Sequence, residues 1–110
     1  MSKPVALLSE KDLQAGIVRA AKALGWLVFY DTMPIRSVPG WPDLVMLHVE
    51  KKRLYVWELK NEQGIVSAAQ QQWLDAWVAV LSAIVSPKGT HVSVAVVRPS
   101  GLEEAYAALV

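Results

Sequence analysis

The 110 residues fit one domain, which we predict to span residues 1–110. The absence of Cys excludes disulfides and thiolate metal sites. A net charge of only +1 does not by itself indicate nucleic-acid binding, so such a function has to be argued from a local site. No apolar run reaches the length of a signal peptide or a membrane span, so we expect a cytoplasmic protein with no membrane partner, in the host cytoplasm if a phage encodes it.

The first part of the chain predicts a helix, a strand and a loop. Apolar residues recur at helical spacing after Ser9, and Gly25 is a natural stop, which predicts a helix over residues 9–24. The apolar and aromatic run WLVFY predicts a strand over residues 26–30. Three prolines and a glycine between residues 31 and 42 predict a loop.

The middle of the chain predicts a β-hairpin. Two apolar runs, residues 43–49 and 54–60, flank the polar link EKKR at residues 50–53. Over most of each run, apolar residues occupy the positions that point to both faces of the sheet. This pattern is typical of a sheet that is covered on both faces.

The last elements complete an alternating pattern. Residues 67–81 predict a second helix, 91–98 a further strand and 102–110 a terminal helix. The order α-β-β-β-α-β-α predicts an α/β fold with a mixed central β-sheet flanked by helices.

The hairpin also predicts which residues lie opposite each other. If Glu50 pairs with Arg53 across the link, Val45 lies opposite Glu58 and Asp43 lies opposite Lys60. Because side chains alternate along a strand, Asp43, Glu58 and Lys60 then share one side of the sheet, with Asp43 and Glu58 as a diagonal pair about 7–8 Å apart. Two such carboxylates can share a divalent cation. A simple Asp43–Lys60 salt bridge is the alternative interpretation of this pairing.

Three motifs surround this hairpin: GWPDL at residues 40–44, WELK at 57–60, and a G-x-x-S-x-x-Q-x-x-W pattern at 64–73. Together they resemble the VRR-NUC (virus-type replication-repair nuclease) branch of the PD-(D/E)XK nuclease superfamily. The resemblance covers residues 9–73 and implies a restriction endonuclease-like core. It further implies an Mg²⁺- or Mn²⁺-dependent endonuclease that hydrolyses DNA, with a preference for branched DNA or DNA with single-stranded regions.

The resemblance implies a role for each matching residue. Asp43, Glu58 and the backbone carbonyl of Leu59 would bind the metal ion. Lys60 would position the attacking water, and Gln70 would support the water or the metal shell. This assignment suits phosphodiester hydrolysis, because a divalent ion lowers the pKa of its bound water and polarises a phosphoryl oxygen.

Two parts of the site allow two interpretations each: the acidic residue that the resemblance implies on the first helix, and the residues that would contact DNA phosphates. Glu10 or Gln14 matches the acidic position on the first helix, and Gln14 there would leave a second metal ion with one carboxylate fewer. Lys11 and Arg36 are candidate phosphate contacts, although solvated cations are the simpler interpretation. His48 is expected on the sheet face opposite the site and is discounted as a ligand.

Other features suggest structure rather than chemistry. Ser67 and Gln70 form an S-x-x-Q capping box, which is compatible with the role that the resemblance gives Gln70. Trp41 and Trp73 are expected in packing or in an interface. The high apolar content of a short chain predicts a homodimer.

Two rival functions remain at this stage. One is a Holliday-junction resolvase-like or restriction-type enzyme on the same core, and the other is a catalytically silent nucleic-acid-binding module. The presence of Asp43, Glu58 and Lys60 together favours an active enzyme.

Overall fold

A computed structural model describes residues 4–30, 38–84 and 91–110 of the chain. The main elements are, in chain order, α1 (Glu10–Ala23), β1 (Leu27–Tyr30), β2 (Leu44–His48), β3 (Arg53–Leu59), α2 (Ala68–Ile84), β4 (His91–Val97) and α3 (Leu102–Leu109). This order confirms the predicted arrangement, with every boundary within three residues of its prediction. None of the helices in these three ranges has the length and apolar character needed to cross a bilayer.

The strands form one mixed sheet in the order β1-β2-β3-β4. Strand β2 pairs antiparallel with both β1 and β3, whereas β3 and β4 are parallel. Parallel neighbours need a crossover connection, and α2 lies between β3 and β4 in the chain. The α/β fold with a mixed central sheet is therefore confirmed.

The main core lies between one face of the sheet and the helices α1 and α3. Alternate strand residues point to this face and pack against the apolar stripe of α1. Its buried members include Leu13, Ile17, Ala21, Leu44, Met46, Tyr55, Trp57, Leu59, Ala105 and Leu109. The side chains of Trp26 and Tyr55 donate hydrogen bonds of 2.9 and 2.7 Å to the carbonyls of Leu109 and Ala108, which fixes the end of α3 on the sheet.

Within the described ranges, the other face of the sheet is only partly covered. Helix α2 contacts β3 and β4, and its buried residues are Leu74 and Leu81. Beside the helix, Leu27, Phe29 and Leu47 stay exposed on β1 and β2. The expectation of a sheet covered on two sides thus holds for the α1 face and only in part for the α2 face.

The predicted hairpin register is wrong by two residues. Val45 lies opposite Val56, and Leu47 lies opposite Leu54. The turn spans residues 49–52, where Lys52 adopts a left-handed φ of 56° and its N–H donates to the carbonyl of Val49. The buried His48 explains why β2 ends early, because its Nδ1 accepts a hydrogen bond from the N–H of Lys51. A shift of two residues keeps every side chain on its predicted face.

Candidate active site

Asp43 lies just before β2, and its side chain accepts the backbone hydrogen bond that a neighbouring strand would otherwise accept at the end of β3. Its Oδ2 accepts a hydrogen bond from the backbone N–H of Leu59 at 2.7 Å. The observed register, continued by one pair, brings Asp43 level with Glu58, so both side chains reach the α2 side of the sheet. The corrected register therefore makes these two carboxylates directly opposed neighbours instead of the predicted diagonal pair.

Glu58 is a buried carboxylate that is only partly satisfied. It is 1% exposed, and one oxygen, Oε1, accepts a hydrogen bond from the side-chain amide of Gln70 at 2.9 Å. The other oxygen, Oε2, is buried without a hydrogen-bond partner among the described residues. The pKa of Glu58 is raised from 4.5 to about 8. Burial contributes most, the Asp43 carboxyl raises the pKa further through a hydrogen bond and through its charge, and the charge of Lys60 opposes the shift.

Gln70 connects Glu58 to the start of α2. Its Oε1 accepts a hydrogen bond of 2.8 Å from the N–H of Ser67, and its own N–H donates to Ser67 Oγ at 3.1 Å. These two contacts confirm the predicted capping box. Because the carboxamide oxygen is held by Ser67, its NH₂ group is left to donate to Glu58. The capping interaction and the contact with Glu58 are therefore made by the same side chain at once.

The loop before Asp43 is docked on the first turn of α2. Gly40 has a φ of 84°, and a Cβ there would overlap the backbone of Ala69 and Gln70. Only glycine allows this approach. The indole N–H of Trp73 donates to the carbonyl of Pro39 at 3.1 Å. These contacts set the distance between the Asp43 end of β2 and the Gln70 end of α2.

Lys60 follows β3 directly and lies beside the carboxylates. Its backbone N–H donates to the carbonyl of Val97 at 3.0 Å, which continues the β3–β4 pairing by one residue. The side chain is half-buried, and its positive charge lowers the pKa of Glu58. An ammonium group in this place can stabilise negative charge that develops on a bound phosphate.

The donor set fits a hard divalent cation. A buried carboxylate oxygen without a partner, next to a second carboxylate, is stable only with a proton or a cation between the two groups. The described ranges contain no group of three or more His, Cys, Asp or Glu residues that could hold a metal ion. Few protein ligands suit Mg²⁺, because this ion keeps several of its waters. Asp43 and Glu58 would thus hold such an ion with water completing the shell.

The arrangement of strands, helices and site can be compared with known structures. A solved structure described as a VRR_NUC domain superposes on this chain with a TM-score of 0.58 and 19% sequence identity, covering 88% of this chain and 94% of that one. The chain has a VRR-NUC fold. At this identity the similarity is one of fold, and it confirms the resemblance that the motifs indicated. Neither a family model nor a curated protein matches the sequence.

The VRR-NUC fold brings some predicted residues together and leaves others apart. Asp43, Glu58, Lys60 and Gln70 form one group at the end of β3. Glu10 and Lys11 are exposed at the start of α1, and Glu10 joins no three-residue acidic group within the described ranges. Gln14 is half-buried on the same helix. The candidate Arg36 lies outside the described residues.

Two sequence interpretations of aromatic and histidine residues are confirmed. His48 lies on the α1 side, where its Nδ1 accepts from Lys51 and its Nε2 lies 3.0 Å from the carbonyl oxygen of Leu24, so both ring nitrogens are used structurally. Trp41 packs edge-on against Trp73, with ring centroids 4.9 Å apart. Trp41 and Trp73 are therefore packing residues of this VRR-NUC fold.

Arg98 is a residue near the site that the sequence analysis missed. Its Nη1 donates to the backbone carbonyls of Asn61 and Gly64 at 2.9 and 2.6 Å, directly after Lys60 in the chain. The available signal was a cation at the end of a mostly apolar strand, HVSVAVVR. Such a residue would be expected to find a partner close to the end of the neighbouring parallel strand.

Proposed function

We propose that this protein is a divalent-metal-dependent nuclease that hydrolyses DNA phosphodiester bonds in the cytoplasm. The observation that carries the proposal is the buried Glu58 carboxylate, whose Oε2 has no hydrogen-bond partner among the described residues and on which the charges of Asp43 and Lys60 act. Such a group is stable only with a proton or a cation between the two carboxylates, and a purely structural role gives no reason to retain it. The VRR-NUC fold supports the same conclusion.

Each residue of the group has a separate role in this proposal. Asp43, Glu58 and the carbonyl of Leu59 would hold Mg²⁺ or Mn²⁺, and the ion would supply a water of lowered pKa and a charge that polarises the phosphoryl oxygen. Gln70 keeps Glu58 pointed into the site through its 2.9 Å hydrogen bond. Lys60 orients the attacking water and stabilises the charge that builds up on the phosphate.

The substrate is proposed to be branched DNA or DNA with single-stranded regions, cut internally. This preference rests on the motif resemblance. A Holliday-junction resolvase-like or restriction-type activity would use the same residues and differ only in the DNA that is cut. A catalytically silent nucleic-acid-binding module is favoured by one observation, which is that the described ranges contain no third acidic ligand beside Asp43 and Glu58.

A cleavage assay separates these functions. Supercoiled plasmid, a forked duplex and a four-way junction are each incubated with the protein in Mn²⁺, in Mg²⁺ and in EDTA. We expect Mn²⁺- or Mg²⁺-dependent cleavage, strongest on the branched substrates, and none in EDTA, because the two carboxylates need the ion to act. Binding without cleavage in either metal would instead identify the silent module, and cleavage in EDTA would contradict the metal-dependent site.

We further propose that the protein is a homodimer that pairs through an apolar surface on the α2 side of the sheet. This surface consists of Leu27, Phe29, Leu47, Val80 and Ile84, of which Leu27 and Ile84 are 63% and 65% exposed. Helix α2 has no charged residue after Asp75, and Lys52 and Arg53 lie at the edge of the surface, in a pocket that Leu47 and Ile84 also line. An exposed patch whose centre is apolar is complementary to its own copy across a two-fold axis.

A charge placed in this surface is expected to dissociate the dimer. We expect Val80→Glu to raise the dimer dissociation constant by at least about tenfold, because a buried unpaired carboxylate would face its own copy. Sedimentation equilibrium over a concentration series measures this. Ala107→Glu on the exposed side of α3 is the control and should leave the dissociation constant unchanged. A wild-type protein that is monomeric at all concentrations would contradict the dimer.

A further inference from the structure

Arg98 holds the backbone of the loop that leaves the E-x-K strand. Its Nη1 donates to the carbonyl oxygens of Asn61, Glu62 and Gly64 at 2.9, 3.4 and 2.6 Å. Because β4 runs parallel to β3, the residue that follows β4 reaches the same end of the sheet as Lys60. Three carbonyl dipoles that converge on one point repel each other, and the positive charge of the guanidinium offsets this repulsion.

The loop of residues 61–64, here termed the site loop, has few other restraints of its own. The N–H of Gly64 donates to the carbonyl of Asn61 at 3.2 Å, and the N–H of Gln63 donates to Asn61 Oδ1 at 3.1 Å. Glu62 Oε2 accepts from the N–H of Ser100 at 3.0 Å. Among the described residues, the hydrogen bonds that tie the site loop to the rest of the fold therefore come from the segment that begins with Arg98.

The site loop lies against the side chain of Lys60. A Cβ added to Gly64 would be 3.3 Å from Cδ of Lys60 and 3.5 Å from its Cβ, so the gap between Gly64 and the lysine stem is too narrow for a methyl group unless one of them shifts. A long lysine side chain has many rotamers, and a backbone wall on one side removes some of them. The position of the site loop thus limits where the Lys60 ammonium can go.

We propose that Arg98 is a positioning residue for Lys60 and acts through the backbone of the site loop. Its effect on Lys60 order stands on the contacts alone, whereas its effect on cleavage rests on the proposed nuclease function. Removing the guanidinium releases the three carbonyls, the site loop moves away from the lysine stem, and the ammonium samples more positions. Small displacements of a positioning group lower turnover with little effect on substrate binding.

The first test measures the order of Lys60 directly, without any reaction. Arg98→Met removes the donors and keeps the stem, and Arg53→Met is the matched control. Arg53 also donates to two backbone carbonyls, those of Ala108 and Val110 at 3.4 and 2.7 Å, but at the opposite end of β3. We expect the ¹³C relaxation order parameter of Lys60 Cε to fall in Arg98→Met and to stay at the wild-type value in Arg53→Met. Should Arg98→Met not fold, Arg98→Gln, which keeps one donor group, is compared in the same way.

Two results would overturn the positioning role. One is an unchanged Lys60 order parameter in a folded Arg98 variant, and the other is an equal drop in the Arg53 control, which would indicate general loosening. Arg98→Lys retains a cation next to the carbonyls and is expected to recover part of the order. None of these outcomes depends on whether the protein cleaves DNA.

The second test uses cleavage kinetics in Mn²⁺. We expect kcat to fall on the order of tenfold in Arg98→Met while KM changes by less than about twofold, with kcat of Arg53→Met close to wild type. A rise in KM alone would mean that Arg98 contacts the DNA instead, which contradicts the positioning role. A wild-type protein without activity would refute the proposed function, while the order parameters would still judge the role of Arg98.

Discussion

Replacing Asp43 by Asn or Lys60 by Ala is expected to abolish DNA cleavage and to leave the fold intact. Asn at position 43 keeps an oxygen that can accept the 2.7 Å hydrogen bond from Leu59, so only the charge for the metal ion is lost. Lys60 is half-buried at the end of a strand, and shortening it removes no core contact of the α1 face. We expect each change to lower kcat on the order of 1,000-fold.

Control variants show whether a loss of cleavage comes from removing a charge at the site or from removing a charge anywhere on the protein. Asp75→Asn and Lys51→Ala remove charges of the same kinds from exposed places on α2 and on the β2–β3 turn. Both controls should cleave at the wild-type rate, and all four proteins should show the same thermal unfolding within a few degrees. Calorimetric titration with Mn²⁺ should detect binding in the controls and lose it in Asp43→Asn. Normal cleavage by either site variant would refute the assignment of the active site.

The metal-free protein is expected to lose stability as the pH rises. The pKa of Glu58 is about 8 in the folded protein against 4.5 in an exposed carboxyl, chiefly because of burial. The folded state therefore binds the proton more tightly than the unfolded state does. The resulting stabilisation is complete below pH 4.5 and is lost as the pH rises through about 8. We expect the free energy of unfolding in EDTA to decrease on the order of a few kcal/mol between pH 5 and pH 9.

Glu58→Gln should remove most of this pH dependence. The amide is neutral at every pH, and its oxygen can still accept from Gln70, so the variant should be more stable than wild type above pH 8 in EDTA. Adding Mn²⁺ at pH 8.5 should stabilise wild type and leave Glu58→Gln unaffected. Urea unfolding at a series of pH values measures all three effects.

Glu62 is a carboxyl for which the opposite pH dependence of stability is expected. The hydrogen bond from Ser100 lowers the pKa of Glu62, so the contribution of this residue to stability is lost as the pH falls instead of as it rises. Glu62→Gln should therefore alter the acid side of the stability profile and leave the alkaline side as in wild type. Identical alkaline profiles for wild type and Glu58→Gln would show that Glu58 is not the titrating group.

Local sequence patterns were sufficient for the elements and for the face on which the carboxylates lie. Hydrophobic period and turn residues act within a few positions of each other, and the side of a strand depends only on odd or even spacing. The pairing of Asp43 with Glu58 could not be derived in the same way. It depends on the turn at residues 49–52, and that turn begins where His48 is held by the carbonyl of Leu24, far from it in sequence.

The contacts missed by the sequence analysis are those between distant segments. Gly40 is readily interpreted as a turn residue, but its close approach to Ala69 follows only from how the loop meets α2. Arg98 bonds to backbone carbonyls 34 to 37 positions away, and a backbone carbonyl leaves no trace in the sequence. The burial of Glu58 belongs to the same class, because α2 covers it from outside the hairpin.

The Gln70 carboxamide both caps α2 through Ser67 and donates to Glu58. The formation of the first turn of α2 and the orientation of Glu58 are therefore coupled. If the first helical turn frays, Ser67 releases the amide oxygen, the side chain swings away, and the carboxylate loses the donor that orients it. Terminal turns are the parts of helices that open most readily. Amide exchange at Gln70 and Gln71 would therefore report how often the carboxylate loses this donor.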